Sequence, residues 1–95
     1  MIVFVATVAG CTTAPPVEEY AIAWTALSAA RSNDSQRFAP SYWHEAEDSY
    51  HRGEVSFKDQ SYRKAKHEFL TSTDWSEKAE NVSRIQRFRS GEVAP

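Results

Sequence analysis

The chain has 95 residues, a net charge of −2 and a single cysteine. That length allows one small domain, and its acids and bases are interspersed, which excludes the clustered basic footprint of a nucleic-acid binder. One cysteine excludes an internal disulfide, and three glycines leave no phosphate-binding loop.

Met1 to Ala9 is apolar and uncharged. It is shorter than the roughly 20 residues a membrane-spanning helix needs, but it suits the apolar region of a signal peptide, roughly 7–15 residues long. Small Ala9 and Gly10 then precede Cys11. The run Val8-Ala9-Gly10-Cys11 resembles the lipobox of bacterial lipoproteins, although no positive residue opens the segment. The resemblance implies that residues 1–10 are removed, that Cys11 becomes the first residue and that its thiol carries lipid. A membrane is then the expected partner through Cys11. Thr12 in place of an aspartate leans towards the outer membrane, periplasmic side. Residues 11–16 form a tether, and its prolines, Pro15 and Pro16, disfavour helix.

The helical domain is expected over residues 17–89. Helix one is predicted from Val17 to Arg31. Glu18 and Glu19 occupy its first turn, where the macrodipole favours acid. Tyr20, Ala23, Trp24, Leu27 and Ala30 recur at helical spacing as its core face. Ser32-Asn33-Asp34-Ser35 reads as a stop, because these side chains bond their own backbone. Helix two starts near Pro40, since proline at the first helical position loses no hydrogen bond, and Phe38 staples the entry. Its stripe is Trp43, Ala46, Tyr50, Gly53 and Phe57. A glycine inside a helix costs about 1 kcal/mol against alanine, so Gly53 implies close approach of a ring or a kink.

Lys58-Asp59-Gln60-Ser61 makes the second turn. Helix three follows, from about Ser61 to Arg87, with Tyr62, Ala65, Phe69, Ser72, Ser76 and Ala79 facing inward. From Trp75 the apolar positions rotate to Val82, Ile85 and Phe88, which predicts that the last third faces the start of helix one or a partner. Residues 90–95 form a tail. The expected fold is all-α, a small antiparallel three-helix bundle running up, down and up.

The helix pattern carries two resemblances. Tyr20-Ala-x-Ala-x-x-Ala-Leu-x-Ala-Ala-Arg31, Phe38-Ala-Pro40, Ala46-Glu47 and Tyr62-x-x-Ala65-Lys66 resemble the bacterial lipoprotein family called domain of unknown function 4398. The family implies a helical envelope protein and brings no catalytic residue. More weakly, Gly53, Tyr62, Ala65 and Phe69 are similar to one helix pair of a tetratricopeptide repeat. One pair is too little for an array, which needs about three units.

Two residue sets are candidates for function. His44, Asp48 and His51 lie on one helical face with Glu47 beside them, a weak set for a divalent metal. His44-Glu45-Ala46-Glu47-Asp48 lacks the second histidine of a zinc-protease motif, and the set points away from the Trp43/Tyr50 stripe. Trp75, Val82, Ile85 and Phe88 either complete the core or form an interaction strip for another envelope protein or a second copy. No serine sits in a nucleophile elbow, and nothing calls for a cofactor or an enzyme. The expected role is a lipid-anchored adaptor or structural module, with a small periplasmic ligand or metal binder as the alternative.

Overall fold

The computed structural model describes residues 14–91. The chain is an all-α helical bundle. Three long helices, α1 (Val17–Ser32), α3 (Pro40–Lys58) and α4 (Tyr62–Arg89), are joined by one-turn α2 (Ser35–Phe38) and a tight turn at residues 59–61. Tyr20 of α1 lies against Phe69 of α4, and Asn33 at the other end of α1 bonds Glu80 and Arg87. Thus α1 and α4 run the same way. Between α3 and α4, Ser72 meets Ala46 while Arg52 meets Glu68, so α3 runs opposite.

Local chemistry sets the helix ends. Pro40 occupies the first turn of α3, as its locked φ permits. α1 ends where Asn33 turns both its backbone and side-chain N–H onto the carbonyl of Ala29. Asp34 follows with φ +65°, a left-handed setting that a short acid side chain tolerates. Gln60, φ +62°, makes the corresponding bend before α4.

The buried apolar side chains are Ala23, Leu27 and Ala30 of α1, Trp43, Ala46 and Tyr50 of α3, Ala65, Phe69 and Ala79 of α4, and Ala39. The remaining inward positions are serines: Ser49 and Ser56 on α3, Ser72, Ser76 and Ser83 on α4, and Ser35 on α2. Small residues let helices approach, and their hydroxyls then need partners. Ser72 donates to the carbonyl of Ala46 at 2.7 Å, and Ser35 and Ser83 bond each other at 2.8 Å. At Gly53 a β-carbon would lie 2.6 Å from Cε1 of Phe69, so the missing side chain makes room for that ring.

Three expectations need correction. The Ser32–Ser35 stop does end α1, but the way to Pro40 is not plain connection: it holds α2, because Asp34 redirects the chain and the Ser35–Ser83 bond docks the extra turn on α4. The last third of α4 therefore packs against α2 and the end of α1, not its start, and the buried line continues through Ala79 to Ser83 instead of rotating. Trp24, expected in the core, lies at its edge, half-exposed with its ring 6.1 Å from Tyr50, because Ala23 occupies the inward position beside it.

Candidate functional site

The four residues of the expected strip separate. Trp75 is half-buried, its ring 5.6 Å from Tyr42 with the Lys78 ammonium over it. Val82 is half-buried too and lines an open groove of about 170 Å³ with Ala39, Pro40, Ser41 and Tyr42. Ile85 and Phe88 turn away from the bundle and are 51% and 52% exposed. Ile85 and Phe88 are three residues apart on α4, so they sit close together, whereas Trp75 and Phe88 do not share a face. The strip is a continuous surface in sequence and two surfaces in space.

His44 and Asp48 are exposed on α3, and His51 turns its Nδ1 to the Glu54 carboxylate at 3.3 Å. No three histidine, cysteine or acidic side chains converge to hold a metal among the described residues. Cys11 lies outside the described residues.

Glu54 belongs to a cluster that joins the three long helices. Its Oε2 accepts the Tyr20 hydroxyl at 2.9 Å, while the Tyr20 ring stacks on Phe69 at 4.5 Å and meets Tyr50 edge-on at 5.8 Å. Burial, the bond to Glu54 and its negative charge together hold the Tyr20 hydroxyl proton well above the ordinary phenol range. Burial, then the same carboxylate, push Tyr50 in the same direction. This cluster fastens α1 to α3 and α4. It is a packed joint.

A further surface, one that the sequence did not reveal, is the outward side of α1. Val17 is 64% exposed, Ile22 50% and Trp24 51%, with Trp24 on the flank towards Tyr50, 6.1 Å away, and Ala21 and Thr25 are also exposed. From Tyr20 to Ala30 the helix carries no charge. An open groove of about 370 Å³ runs along this side, lined by Ala21, Ile22, Thr25, Ala26 and Ala29 of α1 and by Glu77 and Glu80 of α4. The uncharged run itself was the available signal. A helix with one core face normally has charge along the other, and here exposed charges stand only in the first and last turns, at Glu18 and Arg31.

No helix among the described residues is long and apolar enough to cross a membrane. No protein-family model, no curated protein and no solved structure matches the chain. The functional reading therefore rests on its own residues.

Proposed function

We propose that this chain is a lipid-anchored helical module of the bacterial envelope that works by protein contact, as an adaptor or a structural spacer. Acyl chains on Cys11 hold it on the periplasmic side of a membrane, by preference the outer membrane. The observation that carries the reading is Val8-Ala9-Gly10-Cys11 placed six residues ahead of a helical domain that begins at Val17. The intervening tether spans at most about 20 Å, so the bundle works close to the lipid surface. The apolar side of α1 supports a contact role, because surfaces of that kind mark interaction sites when they are continuous. The resemblance to the domain of unknown function 4398 lipoproteins points the same way.

Labelling cells with radioactive palmitate, with and without Cys11→Ala, tests the anchor. Label is expected on the wild type and absent from the variant, and fractionation should move the variant out of the membrane pellet. An unlabelled wild-type chain refutes the proposal.

A further inference from the structure

The three long helices divide the charge unevenly. α4 carries seven lysines and arginines against four acids, α3 two against four, and α1 one against two. Six of the α4 cations are exposed, but only two of its acids, Asp74 and Glu77. The buried line of α4 runs through Ala65, Ser72, Ala79 and Ser83. The positions opposite it, from Arg63 through Leu70 and Lys78 to Ile85 and Phe88, are all exposed. Leu70 is 47% exposed there, Ile85 51% and Phe88 52%.

We infer that this outward side of α4 lies along an anionic bilayer surface. Leu70, Ile85 and Phe88 enter the headgroup boundary, and Arg63, Lys78, Arg84 and Arg89 reach the phosphates. The inference rests on the lipid-anchored reading for bringing the chain to a membrane, but the contact itself needs no lipid on Cys11. Three observations select this occupant. Cations interleaved with exposed apolar side chains along one helix side are the pattern of a helix lying in a lipid interface. Anionic headgroups attract the net-positive α4 and repel the acid-rich α3, which orients the bundle. The third is placement. α1 begins beside the start of α4, where Glu19 meets Lys66 at 4.0 Å and Tyr20 stacks on Phe69, so a chain held at Cys11 brings that end of α4 to the surface. At the other end no residue of α4 beyond Ser83 is buried, so Ile85 and Phe88 stand clear of the core.

The existing partners of these cations are loose. Arg84 lies 3.8 Å from Glu80 with its side chain 65% exposed, and the Lys78 ammonium rests 4.8 Å over the Trp75 ring. Both have stems long enough to turn to a phosphate. Arg63, Lys78, Arg84 and Arg89 outnumber Asp74 and Glu77 by two. Each cation near an anionic surface strengthens binding about fivefold, so a preference of about twentyfold for anionic over neutral vesicles is expected.

Flotation of the full chain carrying Cys11→Ala, with phosphatidylglycerol or phosphatidylcholine vesicles in about 50 mM salt, reads the contact without acyl chains on that residue. Residues 1–9 carry no charged side chain and are common to every variant. Arg84→Gln with Arg89→Gln should bring the preference close to one. His44→Glu with Val55→Glu, on the exposed side of α3, changes the net charge by the same amount and should leave the preference within about twofold. Phe88→Ser should weaken binding to the anionic vesicles about fivefold with circular dichroism unchanged, since Phe88 is exposed. Equal partition into both vesicles overturns the inference. So does a preference that survives the α4 pair, or one that the α3 pair lowers equally. Binding unmoved by Phe88→Ser overturns the entry of the apolar side chains. Palmitate label on the wild type without a vesicle preference sinks only this inference, and a preference without label sinks only the anchor.

Discussion

Gly53→Ala tests the joint that holds α3 against α4. In an ordinary helix interior this change is favourable by about 1 kcal/mol, because alanine restricts the unfolded chain and suits helical φ and ψ. Here the new β-carbon would sit 2.6 Å from Cε1 and 2.7 Å from Cδ1 of Phe69, well inside van der Waals contact. The ring has little room to yield. Phe69 is fully buried, with Tyr20 stacked on one face at 4.5 Å and Tyr50 against it at 5.8 Å. Overpacking of this kind costs about 1–3 kcal/mol, which outweighs the helical gain, so a net loss of about 1 kcal/mol is expected. For a domain of this size that lowers Tm by about 4–8 °C. Thermal and urea melts followed by circular dichroism at 222 nm measure it. A double-mutant cycle isolates the cause. With Phe69→Leu in place the ring is gone, and Gly53→Ala should become stabilising by up to about 1 kcal/mol. If Gly53→Ala alone raises Tm, close packing on Phe69 is not why a glycine stands there.

Three further outcomes follow from other contacts. Ser72→Ala removes a buried 2.7 Å bond to the Ala46 carbonyl and should cost about 1 kcal/mol, whereas Ser76→Ala removes a buried hydroxyl that has no partner and should be neutral or stabilising by up to about 1 kcal/mol; paired urea melts compare them. Trp75→Ala should cost about 1–2 kcal/mol in the same assay, because its ring is half-buried against Tyr42, while Phe88→Ala should change stability by less than about 0.5 kcal/mol. The Tyr20 phenol holds its proton more tightly folded than unfolded, so its contribution is whole below the ordinary value of 10 and is lost as pH rises from there towards the folded value. Tm should therefore fall steeply above about pH 10, and Tyr20→Phe, less stable at neutral pH, should show a shallower fall; parallel slopes would refute the linkage.

The helices were legible because their apolar residues keep a three- and four-residue rhythm that survives packing. Ala23, Leu27 and Ala30, then Trp43, Ala46 and Tyr50, then Ala65, Phe69, Ser72, Ser76 and Ala79 are the inward residues, as their spacing implied. Where two apolar residues adjoin, rhythm alone does not choose the inner one. Ala23 and Trp24 are neighbours, and the small residue went in because α4 lies close. α2 was illegible for another reason. Its anchor is a bond between Ser35 and Ser83, 48 positions apart, and no hydrophobic pattern announces a hydroxyl pair. Missing that bond also misplaced the end of α4, whose Trp75–Phe88 residues looked like one rotated face only while Ser83 seemed to have nothing to pack against. At the weak metal set, His51 turns its Nδ1 to Glu54 one turn further on, and no three ligating side chains converge among the described residues.

The outward side of α1 poses a question that the bundle does not answer. A single exposed tryptophan is unremarkable, because much of any protein surface is apolar. An uncharged run from Tyr20 to Ala30 is different. Ala21 and Thr25 are exposed, and a lysine at either would be expected to cost the isolated bundle little while improving solvation. In a domain this small, whose core buries only about 60–65% of the unfolded surface, leaving Val17, Ile22 and Trp24 in water also forgoes stabilisation of about 25 cal/mol for each Å² left uncovered. Both features make sense together if the helix has two neighbours to satisfy, its own bundle on one side and another surface on the other. Inserting a lysine at Ala21 therefore separates the explanations. If the side is idle, Ala21→Lys leaves the chain's mass, its stability and its associations as they were. If the side is a contact, stability of the single bundle is unchanged and only the association is lost.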